Sequence, residues 1–285
     1  MLVNLNDVLI QARKSGYAIG AFNVYNMETI EVVSEAAVSL NVPVIIAFGE
    51  KYSAINSINL ISQCVHELAN KTPLPMVLHL DHCKTEDLII RAIQAGFTSV
   101  MYDGSNMPNS GNIRITSKIV KIAHAAGVTV EAELGYVPAE DTGEFIPEDQ
   151  LTKPEEAKEF VEKTNCDALA IAVGTIHGNY IGKPKIYHDR LKEIAQAISI
   201  PLVLHGGSGN TEEDFVLAID EGISKININT EISNAAVKKL KELFKNDYSG
   251  HLSTLSNSIK EPMLTVIKEK MKLFSRGKID LLNKK

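Results

Sequence analysis

Eight short apolar runs separated by helical patterns predict an α/β protein, a single (β/α)8 TIM barrel, and three observations carry that expectation. Most runs are continuously apolar instead of alternating, as strands covered on both faces of a parallel sheet are. The chain has 285 residues and no composition break that would mark a linker. Ionisable residues gather where the runs end, which is where active sites of this architecture sit.

The runs fall at 18–24, 43–48, 75–81, 99–103, 129–135, 168–173, 201–207 and 225–230. Helical spacing fills intervals such as 28–40, 86–95, 113–126, 154–163 and 212–221. Gly96, Gly127 and Gly222 stand where three of these helices end, and glycine is the residue that accepts a left-handed C-cap. Thr152 and Glu155 have capping-box spacing with Pro154 between them, and Thr211 is placed to cap 212–221. A doubly wound open sheet is the alternative, but it would more usually have fewer strands or an added domain. We therefore expect one domain over 1–285, with a C-terminal helical extension over about 231–285.

Lysine and arginine number 29 against 35 aspartates and glutamates, a formal charge of −6. No dense basic cluster occurs outside the tail ending in Lys284 and Lys285, so neither nucleic acid nor membrane is an expected partner. No apolar stretch has transmembrane length and the start lacks a signal-peptide pattern, which predicts a cytoplasmic protein. Cys64, Cys83 and Cys166 are unclustered, as reduced thiols are.

His82, His177 and His205 each lie where an apolar run closes. A lone histidine there is more often a hydrogen-bonded structural residue. Three at corresponding ends of separate strands read as a metal site, since a catalytic zinc takes three protein ligands and keeps a fourth position open. Asp81, Asp103, Glu131, Glu133, Asn227 and Asn229 fall at the same mouth. Gly206-Gly207-Ser208-Gly209 offers backbone N–H groups with little side-chain obstruction before a helix start, and the segment from Asn227 to Thr230 adds amide and hydroxyl donors. A phosphate site after strands seven and eight is common in this barrel.

In order along the chain, Gly16 to Asn23, His79-Leu80-Asp81-His82, Ser99 to Asp103, Val130 to Gly135, His177-Gly178, Leu202 to Gly209 and Lys225 to Glu231 resemble the motifs of the class II, zinc-dependent ketose-bisphosphate aldolases. The resemblance implies a lyase that reversibly cleaves a ketose (bis)phosphate, of the fructose- or tagatose-1,6-bisphosphate type, to dihydroxyacetone phosphate and an aldehyde. It implies Zn2+ on His82, His177 and His205, Asp81 as the proton donor, and a second divalent or monovalent cation position at Asp103 and Glu133. Substrate contacts are implied for Asn23, Gly178, Gly206, Gly207, Ser208, Asn227, Ile228, Asn229 and Thr230. The family acts on small sugar phosphates as homodimers or homotetramers.

The chain departs from the family in three places. The loop after strand five is expected to supply the base for the C3 proton at Glu140, with Asp141 beside it, yet Pro138-Ala139 replace the family's paired glycines. Gly49 stands where a serine or threonine near the aldehyde-side phosphate is usual, and Asn106 where a histidine is usual. An inositol-catabolic aldolase acting on a phospho-deoxy-keto-gluconate is an alternative within the family. A zinc-dependent barrel hydrolase is an alternative outside it, although strand one ends Phe22-Asn23-Val24 without the His-x-His pair such enzymes carry. Schiff-base chemistry is disfavoured because strand six ends without lysine. Lys225 is read as beginning strand eight at the opposite end of the barrel, and Lys84 as a surface residue at a helix start.

Overall fold

Residues 1–138, 146–178, 182, 185–245 and 248–278 are described by the computed structural model. Eight parallel strands close in sequence order into a barrel: β1 (Ile19–Asn23), β2 (Val44–Gly49), β3 (Met76–Cys83), β4 (Ser99–Tyr102), β5 (Thr129–Leu134), β6 (Ala168–Ile171), β7 (Leu202–Leu204) and β8 (Ile223–Ile228). The helices among the described residues are α1 (Leu5–Ser15), α2 (Met27–Leu40), α3 (Ile58–Ala69), α4 (Glu86–Gln94), α5 (Asn109–Ala125), α6 (Pro154–Thr164), α7 (His188–Ala197), α8 (Glu212–Asp220), α9 (Thr230–Lys245), α10 (Leu252–Ser258) and α11 (Lys260–Ser275). The expected (β/α)8 barrel is the observed fold.

Strand alternation sorts the apolar residues into two cores. Phe22, Ile46, Leu78, Val130, Leu169 and Ile226 face outward into the layer beneath the helices. Ala21, Ile45, Val77, Ala168, Ala170 and Val203 face inward and fill the barrel's lower half. The inner core is closed from below by α1, whose Leu5, Val8, Leu9 and Ala12 recur at helical spacing on one buried face. Asn4 and Asp7 form a capping box at its start, and Gly16 ends it at φ 64°. With its floor apolar, the barrel has its polar inward positions higher up, toward the C-terminal ends of the strands.

Two local expectations change. The Thr152–Glu155 capping box does not form, and Lys153 is the N-cap of α6 without a side-chain bond. Thr152 Oγ1 instead donates to the Leu134 carbonyl at 2.6 Å and accepts from Ala172 N–H at 2.9 Å, tying the ends of β5 and β6 together. Lys225 does not sit at the far end of the barrel. It is the third residue of β8 and fully buried in the interior. Within the C-terminal segment, α11 packs on α2, β1, α8 and α9. Thr211 does cap α8, with Asp214 completing the box.

Because α1 is the floor of the inner core, truncating its fully buried Leu9 to alanine should lower unfolding free energy by about 2–5 kcal/mol, the range for a large-to-small core cavity. Urea denaturation checks this, with far-UV dichroism of the native state expected to be unchanged.

Candidate active site

The C-terminal ends of the strands surround a cleft of about 470 Å³. Asp81 and His82 both line it although they are neighbours on β3, where strict alternation would turn one of them outward. The β3–β4 register shifts between Leu80 and Cys83, and His82 adopts φ 49°, a left-handed conformation that costs a non-glycine residue about 1–3 kcal/mol. That bulge brings a carboxylate and an imidazole to the mouth from adjacent positions. His205 directly follows the short β7, and His177 lies beyond β6.

The three imidazoles converge. Ring centroids are 4.4 Å apart for His82 and His205, 4.7 Å for His82 and His177, and 5.8 Å for His177 and His205. One ring nitrogen of each lies within 4.8 Å of the others. Each remote nitrogen has a separate partner. His205 Nε2–H donates to Glu131 at 2.8 Å, His82 Nδ1 faces Asp103 at 3.3 Å and Glu133 at 3.6 Å, and His177 bonds the Val137 backbone. His82 Nε2 and His205 Nδ1 lie 2.7 Å apart, while His177 Nε2 is buried with no hydrogen-bond partner among the described residues.

Charge explains the protonation. Burial would lower His82, but Asp81, the Asp103 hydrogen bond and Glu133 outweigh it and push it up to about 9, so it carries the proton it shares with His205. Burial and the His82 charge press His177 down to about 3, and the same causes lower His205. Two neutral rings thus face one cation, and a divalent ion would take over the charge this proton carries. The orphaned His177 Nε2 makes the donor set fit zinc, a borderline-soft ion that favours imidazole. Asp103 and Glu133 form with His82 a second group of the same kind. Burial holds Glu133 up at about 8, whereas the His82 and Ser105 hydrogen bonds overcome burial at Asp103 and keep it below the ordinary carboxylate range.

Beneath the imidazoles lies a buried polar cluster that sequence reasoning assembled only in part. Glu131, expected at the mouth, lies fully buried one layer down, where it accepts from His205 and from Lys225 Nζ at 2.7 Å. His79, held by Ser99 at 2.8 Å, approaches the same carboxylate at 3.7 Å. Burial favours the neutral acid at Glu131, but Lys225, His205 and His79 hold it ionised, well below the ordinary range. The sequence signal for this cluster is period-two spacing: Glu131 and Glu133 share the inward face of β5, and Lys225 and Asn227 that of β8.

Asp81 is gripped by two amides, accepting from Asn23 Nδ2 at 2.8 Å and Asn227 Nδ2 at 3.1 Å. Burial opposes its charge, but His82, His205 and Lys225 keep it ionised. Gly178, Gly206, Gly207, Ser208, Asn229 and Thr230 line the same cleft. A Cβ at Gly206, whose φ is 63°, would lie 2.2 Å from the Ile176 carbonyl oxygen, and one at Gly207 2.7 Å from that of Asn227. Only glycine fits either place. The N–H of Gly209 is taken by Glu231 at 2.8 Å, and three acidic residues already occupy the first turn of α8, so the helix start that neighbours the cleft is that of α9, at Thr230. The Ile228 side chain is buried in the outer core, so only its backbone can serve the cleft. Glu140 and Asp141 lie outside the described residues.

On the opposite side, Lys51 and Lys84 line the cleft, a placement the sequence reading of Lys84 missed. Glu50 accepts from Lys84 N–H at 3.0 Å and from Thr85 Oγ1 at 2.9 Å, clasping the segments after β2 and β3 together.

Removing one member of the buried pair should be severe. Lys225→Met, which strands the Glu131 carboxylate, should cost about 3–5 kcal/mol in chemical denaturation, and adding Glu131→Gln should recover most of that loss.

A family model described as fructose-bisphosphate aldolase class-II matches residues 3–278 of the chain. The fructose-bisphosphate aldolase of Staphylococcus epidermidis is 38% identical over 278 residues, which cover 94% of this chain and 96% of that one. That of Thermus caldophilus is 38% identical over 307 aligned positions, covering 96% and 98%. The crystal structure of the YdjI aldolase from Escherichia coli K12 superposes with a TM-score of 0.88 at 36% identity, covering 98% of this chain and all of that one. Matched along its length in sequence and in fold, the chain belongs to the class-II fructose-bisphosphate aldolase family, whose members are lyases of carbohydrate metabolism.

Proposed function

We propose that this cleft cleaves a ketose 1,6-bisphosphate, fructose 1,6-bisphosphate first among them, to dihydroxyacetone phosphate and an aldehyde, with zinc held by His82, His177 and His205. The observation that carries the reading is the unpartnered, buried His177 Nε2 facing two further imidazoles whose remote nitrogens are all engaged. Zinc bound there supplies Lewis acidity toward the substrate carbonyl and adjacent hydroxyl, the stabilisation that a carbanion beside a carbonyl requires.

The chain's own residues do the remaining work. Asp81, ionised and fixed by Asn23 and Asn227, takes the C4 hydroxyl proton in cleavage and returns it in condensation. Glu131 sets the tautomer of His205 by accepting its Nε2–H, and Asp103 and Glu133 orient His82 while offering an acidic pair for a second cation. Backbone N–H groups around Gly207 and Ser208, with Gly178 and the α9 start, cradle the phosphate of the dihydroxyacetone half. Lys51 and Lys84 suit an anionic group on the aldehyde half, in the place where Gly49 contributes no hydroxyl. Glu140 is the assigned base for the C3 proton. The reading carries with it a cytoplasmic homodimer or homotetramer.

Chelation should abolish cleavage of fructose 1,6-bisphosphate and zinc should restore it; full activity in a verified metal-free sample would overturn the zinc assignment. Asp81→Ala should retain zinc while cleavage falls at least about 10²-fold. Solvent exchange of the C3 proton of dihydroxyacetone phosphate, followed by NMR, should persist in that variant and be impaired first in Glu140→Ala.

A further inference from the structure

Tyr52 lies on the short 3-10 segment Glu50–Ala54 that follows β2, and its hydroxyl receives Asn229 Nδ2 at 3.0 Å. The contact joins the aldehyde side of the cleft to the end of β8. From it we propose that Tyr52 is a positioning residue that orients the Asn229 amide, so that Asn229 shows its oxygen to a substrate hydroxyl and not its nitrogen to the phosphate. The proposal rests on the ketose-phosphate reading of the cleft and refines the place of Asn229 within it.

An asparagine amide has a donating end and an accepting end. With one of its two N–H donors spent on Tyr52 the Asn229 amide is fixed in direction, its oxygen has no hydrogen-bond partner among the described residues, and the residue lines the cleft. An amide oxygen accepts from a hydroxyl and repels a phosphate oxygen. Its neighbour on the same face shows the same polarity: Asn227 donates Nδ2 to Asp81, and its Oδ1 is buried and unpartnered. The end of β8 thus turns the Asn229 amide oxygen toward the cleft, and the phosphate is left to backbone N–H groups and the start of α9.

Tyr52 is built to hold this geometry. Its ring packs against Tyr25, with centroids 5.0 Å apart, and against Phe48 at 6.3 Å, while Lys51 Nζ lies 5.0 Å from its centroid. Asn56 on the same loop donates to the Tyr25 carbonyl, which ties this aromatic group to the segment after β1. Gly49 makes the room: a Cβ there would stand 3.3 and 3.4 Å from two Tyr52 ring carbons, and the hydroxyl residue usual at this position would press on the ring further. The absence of a side chain at 49 therefore lets the Tyr52 ring sit where it anchors Asn229.

The test is a double-mutant cycle on the zinc-loaded enzyme with fructose 1,6-bisphosphate, using Tyr52→Phe, Asn229→Ala and the double variant. Tyr52→Phe should raise KM about five- to tenfold, the scale of one lost hydrogen bond, with kcat within about twofold. Bound zinc and Tm should be unchanged. In the Asn229→Ala background the same change should add nothing, since the effect travels through that amide. Inhibition by inorganic phosphate should be unaffected by Tyr52→Phe. An unchanged KM, an effect that persists without Asn229, or a phosphate inhibition constant that rises in step with KM would each overturn the inference while wild-type cleavage stands. Failure of the wild-type enzyme to cleave any ketose phosphate would overturn the functional reading, and this inference with it.

Discussion

A single carboxylate in the middle of the barrel organises what lies above it. Glu131 is fully buried, so its charge is tolerable only because Lys225 and His205 both donate to it. An ion pair in so dry a place is weak evidence for stability, since an apolar pair of equal volume would do as well. Its use is orientational. Glu131 holds the Nε2 proton of His205, so Nδ1 is the nitrogen turned toward His82, and the direction of the upper layer is set from the layer below.

The same logic of fixed second partners runs around the cleft. Asp81 has one amide on each oxygen, His82 has two carboxylates behind it, and His177 has a backbone partner on its remote side. Each functional side chain is thus held by a bond that points away from the reaction, and its working atom is left for the substrate or the metal. The strained backbone at His82 belongs to this arrangement, because the bulge on β3 is what allows two consecutive residues to face the mouth.

The two halves of the cleft are specified by different means. At the β7 and β8 ends, close approach of the Ile176 and Asn227 carbonyls excludes any side chain at Gly206 and Gly207, so the cleft there presents main-chain groups whose positions the barrel itself holds. At the β2 and β3 ends, the cleft is lined by long, exposed lysines on loops tied by Glu50.

The barrel, its closure and the three histidines were legible in the sequence because each depends on local pattern: apolar runs of strand length, glycines at helix ends, and functional residues placed at run ends. The motif resemblance added the chemistry, and the family match agrees with it. What local pattern could not convey was depth and direction. Lys225 read as a residue at the wrong end of a strand, yet the inward face of β8 carries it to Glu131, and a buried ion pair between β5 and β8 has no signature along either strand. Thr152 read as a helix cap, but its hydroxyl finds Leu134 and Ala172, partners 18 and 20 residues away that only the closed sheet brings near. Gly49 read as the loss of a contact, and only the packed loop showed the aromatic ring that occupies the space. Sequence determines which groups are present and at what period; the tertiary structure decides which of them share a desolvated space, and there burial and charge assign each its proton and its partner.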